Sequence, residues 1–395
     1  MLTSTFAFGI EAVDRETGAR AGHVTTPHGV IPTPAFMPVG TQATVKALDP
    51  DDLHAIGAPI ILANAYHLSL RPGASVIEQA GGLHRFMAWD GPMLTDSGGF
   101  QIFSLGARRT VGDDGVTFRS HLDGSLHRFT PESVIALEES LGADIIMPLD
   151  ECVALPAEDA STRDALHRTQ RWLERALRVK RRDDQALFAI VQGGLNHTLR
   201  REGAAFAAQL ALPGIAIGGL SVGETKEEMD ETLAVTTECL PADRPRYLMG
   251  VGAPEDLWSC VARGVDLFDC VLPARVARHG GLFTPTGRIS IGNARYRDTH
   301  KPLDESCECP TCSRFSAAYL HHLYRTKELL WYRLATLHNL WFILRQMDDI
   351  RAAVIDGSFV ARHREFRGRY RMADRSTTVR AREKFVESRR RRHAV

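Results

Sequence analysis

Acid and amide side chains recur in this chain at the ends of short apolar runs. Asn64 ends one run, Asp96 a second, Asp150 a third and Gln192-Gly193-Gly194 a fourth. Gly218-Gly219, Gly250 and Asp269 end three more. If these runs are parallel strands of a barrel, their C-terminal ends converge on the face that carries barrel chemistry. Three carboxylates and two amides then meet in one pocket. One chemistry for such a pocket is glycosyl transfer or hydrolysis, in which one carboxylate attacks an anomeric carbon and another handles the proton. The other is metal-assisted hydrolysis, which uses histidines at strand ends. No strand end carries one here, because His67 lies past the end of its run, so glycosyl chemistry is favoured. Gln192, Asp150 and the Gly218-Gly219 amides suit the edge of a purine-like ring, with its lactam and amino groups. Gly219 has no Cβ and permits close approach of its backbone.

Three of the seven cysteines crowd into Cys307, Cys309 and Cys312. The C-x-C-x2-C spacing reads as a metal site before it reads as disulfides. A histidine would complete a closed tetrahedral zinc site with no open position, hence a structural one. By spacing, His321, His322 and His338 all compete for that place. Cys239, Cys260 and Cys270 read as small buried hydrophobes. The paired glycines at 98–99, 193–194 and 218–219 match no nucleotide fingerprint or phosphate loop.

The elements that must position these groups can be read from periodicity. Strand patterns fall at 35–39, 59–63, 93–95, 145–149, 187–191, 215–217, 247–249 and 265–268. Amphipathic helices are expected at 131–141 behind an N-cap at Thr130, at 159–181, and from about 198, 226 and 255. Eight β/α repeats fit a (β/α)8 TIM barrel better than an open doubly wound sheet, the alternative. Residues 1–34 read as an N-terminal antiparallel sheet capping the barrel, and 35–300 as the barrel. Residues 301–350 read as a zinc-binding helical insertion, and 351–395 as a C-terminal helix and basic tail.

Composition is that of an ordinary globular chain: 395 residues, 44% hydrophobic and 24% charged. No apolar run reaches the roughly 18 residues of a membrane span, and the start lacks a basic region with a cleavage site, so a cytoplasmic protein is expected. Formal net charge is zero, with 48 basic and 48 acidic residues. The zero is a cancellation. Residues 361–395 hold 13 Lys/Arg against 4 Asp/Glu, ending in Arg389–Arg392. A second basic stretch, 275–301, includes Arg275, Arg278, Arg288, Arg295 and Arg297. Such runs can follow a phosphate backbone; for the tail, a solvated chain end is the plainer reading.

Taken together, the motifs resemble those of the tRNA-guanine transglycosylases. They are Asp96-Ser97-Gly98-Gly99-Phe100-Gln101, Asp150-Glu151-Cys152, Val191-Gln192-Gly193-Gly194 and Gly218-Gly219-Leu220-Ser221-Val222-Gly223-Glu224. Leu248-Met249-Gly250-Val251-Gly252, Phe268-Asp269-Cys270-Val271-Leu272-Pro273 and the three cysteines with His338 complete the set, spread over about residues 6–350. The resemblance implies that Asp269 is the nucleophile on the wobble guanosine, forming a covalent tRNA intermediate. It implies that Asp96 is the general acid/base, paired at rest with Asn64. Asp150, Gln192 and the Gly219 backbone would hold the base edge, and Phe100 and Met249 would sandwich the ring, Phe100 standing where some members have tyrosine. Leu220 and Glu224 would sense the 7-aminomethyl group of the incoming base. Arg275 and Arg278 would read the bases flanking the wobble position, and His338 would be the fourth zinc ligand.

Cys152 and Val222 resemble the bacterial branch, which implies 7-aminomethyl-7-deazaguanine as the incoming 7-deazaguanine base. The implied partner is a tRNA anticodon stem-loop, and the implied assembly is a homodimer with Leu320, Leu323, Leu329, Leu330 and Trp331 near its interface. Queuine- or archaeosine-type exchange is the alternative within the family; a non-catalytic tRNA-binding subunit is the alternative outside it.

Overall fold

A computed structural model describes residues 6–371, apart from the side chain of Ala107. Eight parallel strands close into a barrel. They are Ala35–Met37 continued by Val39–Gly40, then Ile61–Asn64, Met93–Asp96 and Ile145–Ile146. Ala186–Leu187 continued by Ala189–Val191, Ile215–Ile217, Arg246–Leu248 and Leu267–Asp269 follow. Each pairs with the next, and Leu267–Asp269 pairs back with Ala35–Met37, which closes the ring. The TIM-barrel expectation is met.

The two-residue period of a strand explains how the site is built. Leu62, Leu94, Ile190, Ala216, Tyr247 and Leu267 point into one buried interior cluster, while Ile61, Met93, Val191, Ile217, Leu248 and Phe268 pack against the helices outside. Two residues beyond these interior positions come Asn64, Asp96, Gln192, Gly218, Met249 and Asp269. They inherit the inward direction where the barrel core ends, so the polar side chains of Asn64, Asp96, Gln192 and Asp269 follow apolar ones at the mouth.

The outer helices arise as the periodicity predicts. Pro131–Leu141 opens on a Thr130–Ser133 capping box, and Lys226–Glu238 opens on a Thr225–Glu228 one. Asp159–Val179 matches its expected helix to within two residues, and His197–Gln209 and Pro254–Ala262 each begin one residue before the expected start. The sequence reading missed a small antiparallel sheet, Arg109–Gly112, Gly115–Arg119 and Leu126–Phe129, inserted after the third barrel strand. Its alternation is masked by Thr, Arg and His on the open side.

The N-terminal sheet, Ala7–Val13, Arg20–Thr26 and Gly29–Thr33, closes the other end of the barrel. Val24 and Ile31 join the interior cluster. Arg20 forks onto Asp266, at 2.8 Å to Oδ1 and 2.6 Å to Oδ2, just before the last strand.

After the barrel come a helix, Leu272–Arg278, and a hairpin, Gly281–Thr284 with Gly287–Ser290. The cysteine loop follows, then helices Ala317–Thr326 and Leu329–Ile355, separated at Lys327 with φ +59°. The long helix is apolar on more than one face because it serves two cores. Trp331, Leu334 and Ala335 pack in the cysteine-bearing unit, and Leu337, Leu340, Ile343, Met347, Ile350 and Val354 pack on the barrel. Position 350 therefore lies inside one continuous helix. Helix Phe359–Arg369 ends the described chain. The arginine-rich run Arg389–Arg392 lies outside the described residues.

Candidate active site and metal centre

Asn64 and Asp96 are register partners on adjacent strands, and the Asn64 amide donates to Asp96 Oδ2 at 2.9 Å. Asn64 Oδ1 in turn accepts the His67 N–H at 3.2 Å, so one side chain caps a helix and holds an acid. Asp96 is pushed up to about 7, first by burial and then by the charges of Asp150 and Asp269. Asp150 is buried and accepts from Gln192 Nε2 at 2.7 Å. Burial pushes it up to about 6, against the pull of that hydrogen bond. Asp269 is half-buried; its Oδ1 accepts the Tyr247 hydroxyl at 2.7 Å and the Gly250 N–H at 2.8 Å. Burial raises it as well, and the two donors work the other way. Each of the three acids is thus held by neutral donors, with no arginine or lysine in an ion pair with any of them among the described residues.

Glycine is required where the backbone crowds these acids. A Cβ on Gly99 would stand 2.2 Å from Asp150 Oδ1. Gly219 has φ +68°, and its Cβ would stand 2.4 Å from Gln192 Oε1. Leu220 is buried beside it. The Glu224 carboxylate gathers the N–H groups of Ser221, Val222 (3.0 Å) and Gly223 (3.1 Å), which folds that loop into a tight nest. Cys152 and Val222 pack with Phe103 in one small apolar cluster. Phe100 sits at the start of helix Gly99–Ser104, 45% exposed, and Met249 is half-buried after the seventh strand. Arg275 is exposed and Arg278 half-buried on helix Leu272–Arg278, which follows the Asp269 strand.

Three residues of the site escaped the sequence reading. Tyr247, on the interior face of its strand, holds Asp269. Arg200 is wholly buried and donates to the carbonyls of Gly194 (2.8 Å), Val191 (3.1 Å) and Gly218 (2.8 Å). Glu138 is wholly buried behind Asp96, and burial raises it well above the ordinary carboxylate range. A signal existed for the last two: each occupies the apolar face of an amphipathic helix, Glu138 beside Val134 and Leu141, Arg200 beside Leu199 and Ala204.

The cysteine loop resolves the choice among the histidines. Cys307, Cys309 and Cys312 present Sγ atoms 3.8, 3.5 and 3.4 Å from His338 Nδ1. Tetrahedral zinc with ordinary Zn–S and Zn–N lengths requires an S···N edge of about 3.6 Å. His338 Nε2 lies 2.7 Å from the Phe283 carbonyl, which places the proton there and leaves Nδ1 free for a metal. His321 instead turns to the Ile291 carbonyl. The four residues fit a closed metal site. Of the five apolar residues expected near a dimer interface, Leu320, Leu323 and Trp331 are buried within the chain, whereas Leu329 is 83% exposed and Leu330 is also open.

Comparison with known proteins shows the family. The family model described as Queuine tRNA-ribosyltransferase matches residues 14–372. A queuine tRNA-ribosyltransferase of Herpetosiphon aurantiacus is 59% identical over 356 residues, 90% of either chain. One of Caldanaerobacter subterraneus subsp. tengcongensis is 54% identical over 358 residues, covering 90% of this chain and 96% of the relative. One of Symbiobacterium thermophilum is 51% identical over 370 residues, 93% of this chain and 92% of the relative.

Proposed function

The chain belongs to the queuine tRNA-ribosyltransferase family, the tRNA-guanine pentosyltransferases of queuosine biosynthesis, and from that premise we propose how its residues perform the exchange. Asp269 attacks C1′ of the wobble guanosine of GUN-anticodon tRNAs (Asp, Asn, His, Tyr). The C1′–N9 bond breaks, its electron pair leaves with guanine, and Asp96 gives the departing base a proton. The incoming base then loses a proton to Asp96, its N9 attacks C1′, and the aspartyl ester is released. Two inversions give net retention.

The observation that carries this reading is the state of the two acids. Asp269 Oδ1 is occupied by the Tyr247 and Gly250 donors, which leaves Oδ2 for attack. Asp96, pushed up to about 7, can both hold and release a proton near neutrality. Asp150, Gln192 and the Gly219 N–H hold the base edge; Gln192 Nε2 and Asp150 hold each other until a base takes over the bond. Phe100 and Met249 cover the ring faces. Leu220 and Glu224 read the 7-substituent. The apolar packing of Cys152 against Val222 supports 7-aminomethyl-7-deazaguanine rather than the bulkier queuine. The three intact acids disfavour a non-catalytic subunit.

Arg275 and Arg278 contact the anticodon loop beside the nucleophile. One structural zinc on Cys307, Cys309, Cys312 and His338 fastens the helical unit to the barrel. The exposed Leu329 and Leu330 support a homodimer. No described helix is long and apolar enough to cross a membrane, and we place the enzyme in the cytoplasm. The deciding assay is exchange of labelled guanine, 7-aminomethyl-7-deazaguanine and queuine into an unmodified GUN-anticodon tRNA. Asp269→Asn is expected to lose exchange and the covalent adduct. Wild-type exchange by that variant would refute the mechanism, and a preference for queuine would refute the substrate.

A further inference from the structure

Arg200 is a cation wholly removed from solvent, and no carboxylate pairs with it in an ion pair among the described residues. Such burial is costly unless the charge is satisfied. Its fork spends its hydrogen bonds on backbone carbonyls instead. Nε takes Gly194 O at 2.8 Å; Nη1 takes Val191 O at 3.1 Å and Gly218 O at 2.8 Å. The arginine therefore ties the turn after the fifth strand to the turn after the sixth.

The Gly218 contact has a directional consequence. The peptide joining Gly218 to Gly219 is planar and trans, so its C=O and N–H point in opposite directions. With the carbonyl fixed on Arg200, the Gly219 N–H is aimed away from Arg200. Gln192, which holds Asp150, lies on the pocket side of Gly219: a Cβ there would be 2.4 Å from Gln192 Oε1, against 3.3 Å from Arg200 Nη2. Neither glycine has a side chain that could fix this peptide. Both Gly218 and Gly219 would clash if they did, since a Cβ on Gly218 would stand 2.7 Å from Gln192 Nε2. The orientation must be set from behind.

We propose that Arg200 is a positioning residue for base selection: by clamping the Gly218 carbonyl, it presents the Gly219 N–H to the 6-oxo group of the purine-like substrate. The assignment rests on the base pocket proposed above. It concerns specificity, because a lysine could supply the charge but not the fork that holds three carbonyls in fixed directions.

The test compares inhibition of exchange by guanine and by 2-aminopurine, which lacks the 6-oxo acceptor, in wild type and Arg200→Lys. In wild type, guanine is expected to bind more tightly. In the variant, guanine affinity should fall roughly tenfold, with 2-aminopurine affinity nearly unchanged, so that the preference shrinks. An equal loss for both bases would mean a merely structural arginine and overturn the proposal. If wild type itself does not distinguish the two, the base pocket reading fails and the proposal with it. A measurement on wild type alone covers the case of a variant that does not fold. With glycine-selective 15N labelling, the Gly219 amide resonance should move on adding guanine and stay nearly still with 2-aminopurine. Equal movement with both would also overturn the assignment.

Discussion

The Tyr247 hydroxyl lies 2.7 Å from Asp269 Oδ1 and is the only side-chain donor on that carboxylate among the described residues. Tyr247 and Leu267 are register partners on adjacent strands, so Asp269, two residues further on, stands one inward step above the phenol. The Gly250 N–H, at 2.8 Å, completes the pair on the same oxygen. This arrangement orients the carboxylate and favours its charged form without a cation, which would weaken the proposed nucleophile.

Tyr247→Phe keeps the shape of the site and removes one of these two donors. The ionised acid loses a hydrogen bond worth about 1 kcal/mol, and the rotational hold on Oδ2 loosens. We expect kcat/KM for base exchange to fall roughly tenfold, and the acid limb of its pH profile to move about one pH unit higher. An unchanged profile would mean that the phenol only fills space.

Asp96 should leave a mark on stability. Its folded value of about 7 lies above the unbound value of 3.8, so the folded state holds a proton that the unfolded chain releases. The stability it contributes is complete below pH 3.8 and is lost as pH rises to 7. Asp96→Asn removes that loss. The inactive variant is expected to be more stable than wild type at pH 8, by up to about 4 kcal/mol, with the gap closing towards pH 4. Urea unfolding across that range measures it; a gap independent of pH would contradict the assignment.

The barrel was legible because strand-end residues and helical faces obey simple periods. Asp96, Gln192 and Asp269 were found from position alone. What was not legible depended on contacts made across the chain. Tyr247 is an ordinary strand residue until Asp269 is brought above it. Arg200 and Glu138 stand on the apolar faces of their helices, so their burial could be read, but the carbonyls that receive Arg200 come from the turns after two different strands. The choice of His338 over His321 and His322 required the long helix to pass behind the cysteine loop. Spacing cannot encode that, and the family resemblance supplied it.

Gly219→Ala tests the close approach at the base pocket. The new methyl would meet Gln192 Oε1 at 2.4 Å, and φ +68° is unfavourable for alanine. Either Gln192 or the loop must move. We expect KM for the free base to rise more than tenfold and stability to fall by about 1–2 kcal/mol. Steady-state exchange kinetics and thermal unfolding would show both, and an unaltered KM would place the base elsewhere.

Arg20→Met addresses the other end of the barrel. Asp266 is wholly buried and accepts from Arg20 and from the Arg246 N–H, at 2.6 Å in the latter case. Removing the guanidinium strands a buried acid, a change that costs about 3–5 kcal/mol. The loss should appear in denaturant unfolding at neutral pH. Because Asp266 can take up a proton, it should be smaller near pH 4. Exchange kinetics of the folded variant should stay close to wild type, since the N-terminal sheet lies at the barrel end opposite the acids.

Metal removal separates the two halves of the long helix. His338 stands on Leu329–Ile355, where residues that pack in the cysteine-bearing unit give way to those that pack on the barrel. The proposed zinc would therefore anchor the first part of the helix, while the barrel core holds the second. In Cys309→Ser, elemental analysis should find the zinc lost, against one per chain in wild type. Hydrogen exchange should then quicken in 305–335 but remain slow in 340–354, where Ile343, Met347 and Ile350 are buried. Because Asp96, Asp150 and Asp269 lie on the barrel, guanine binding should persist while tRNA affinity falls. Quickened exchange throughout the barrel strands would instead make the metal a requirement of the whole fold, and loss of guanine binding would tie it to the active site.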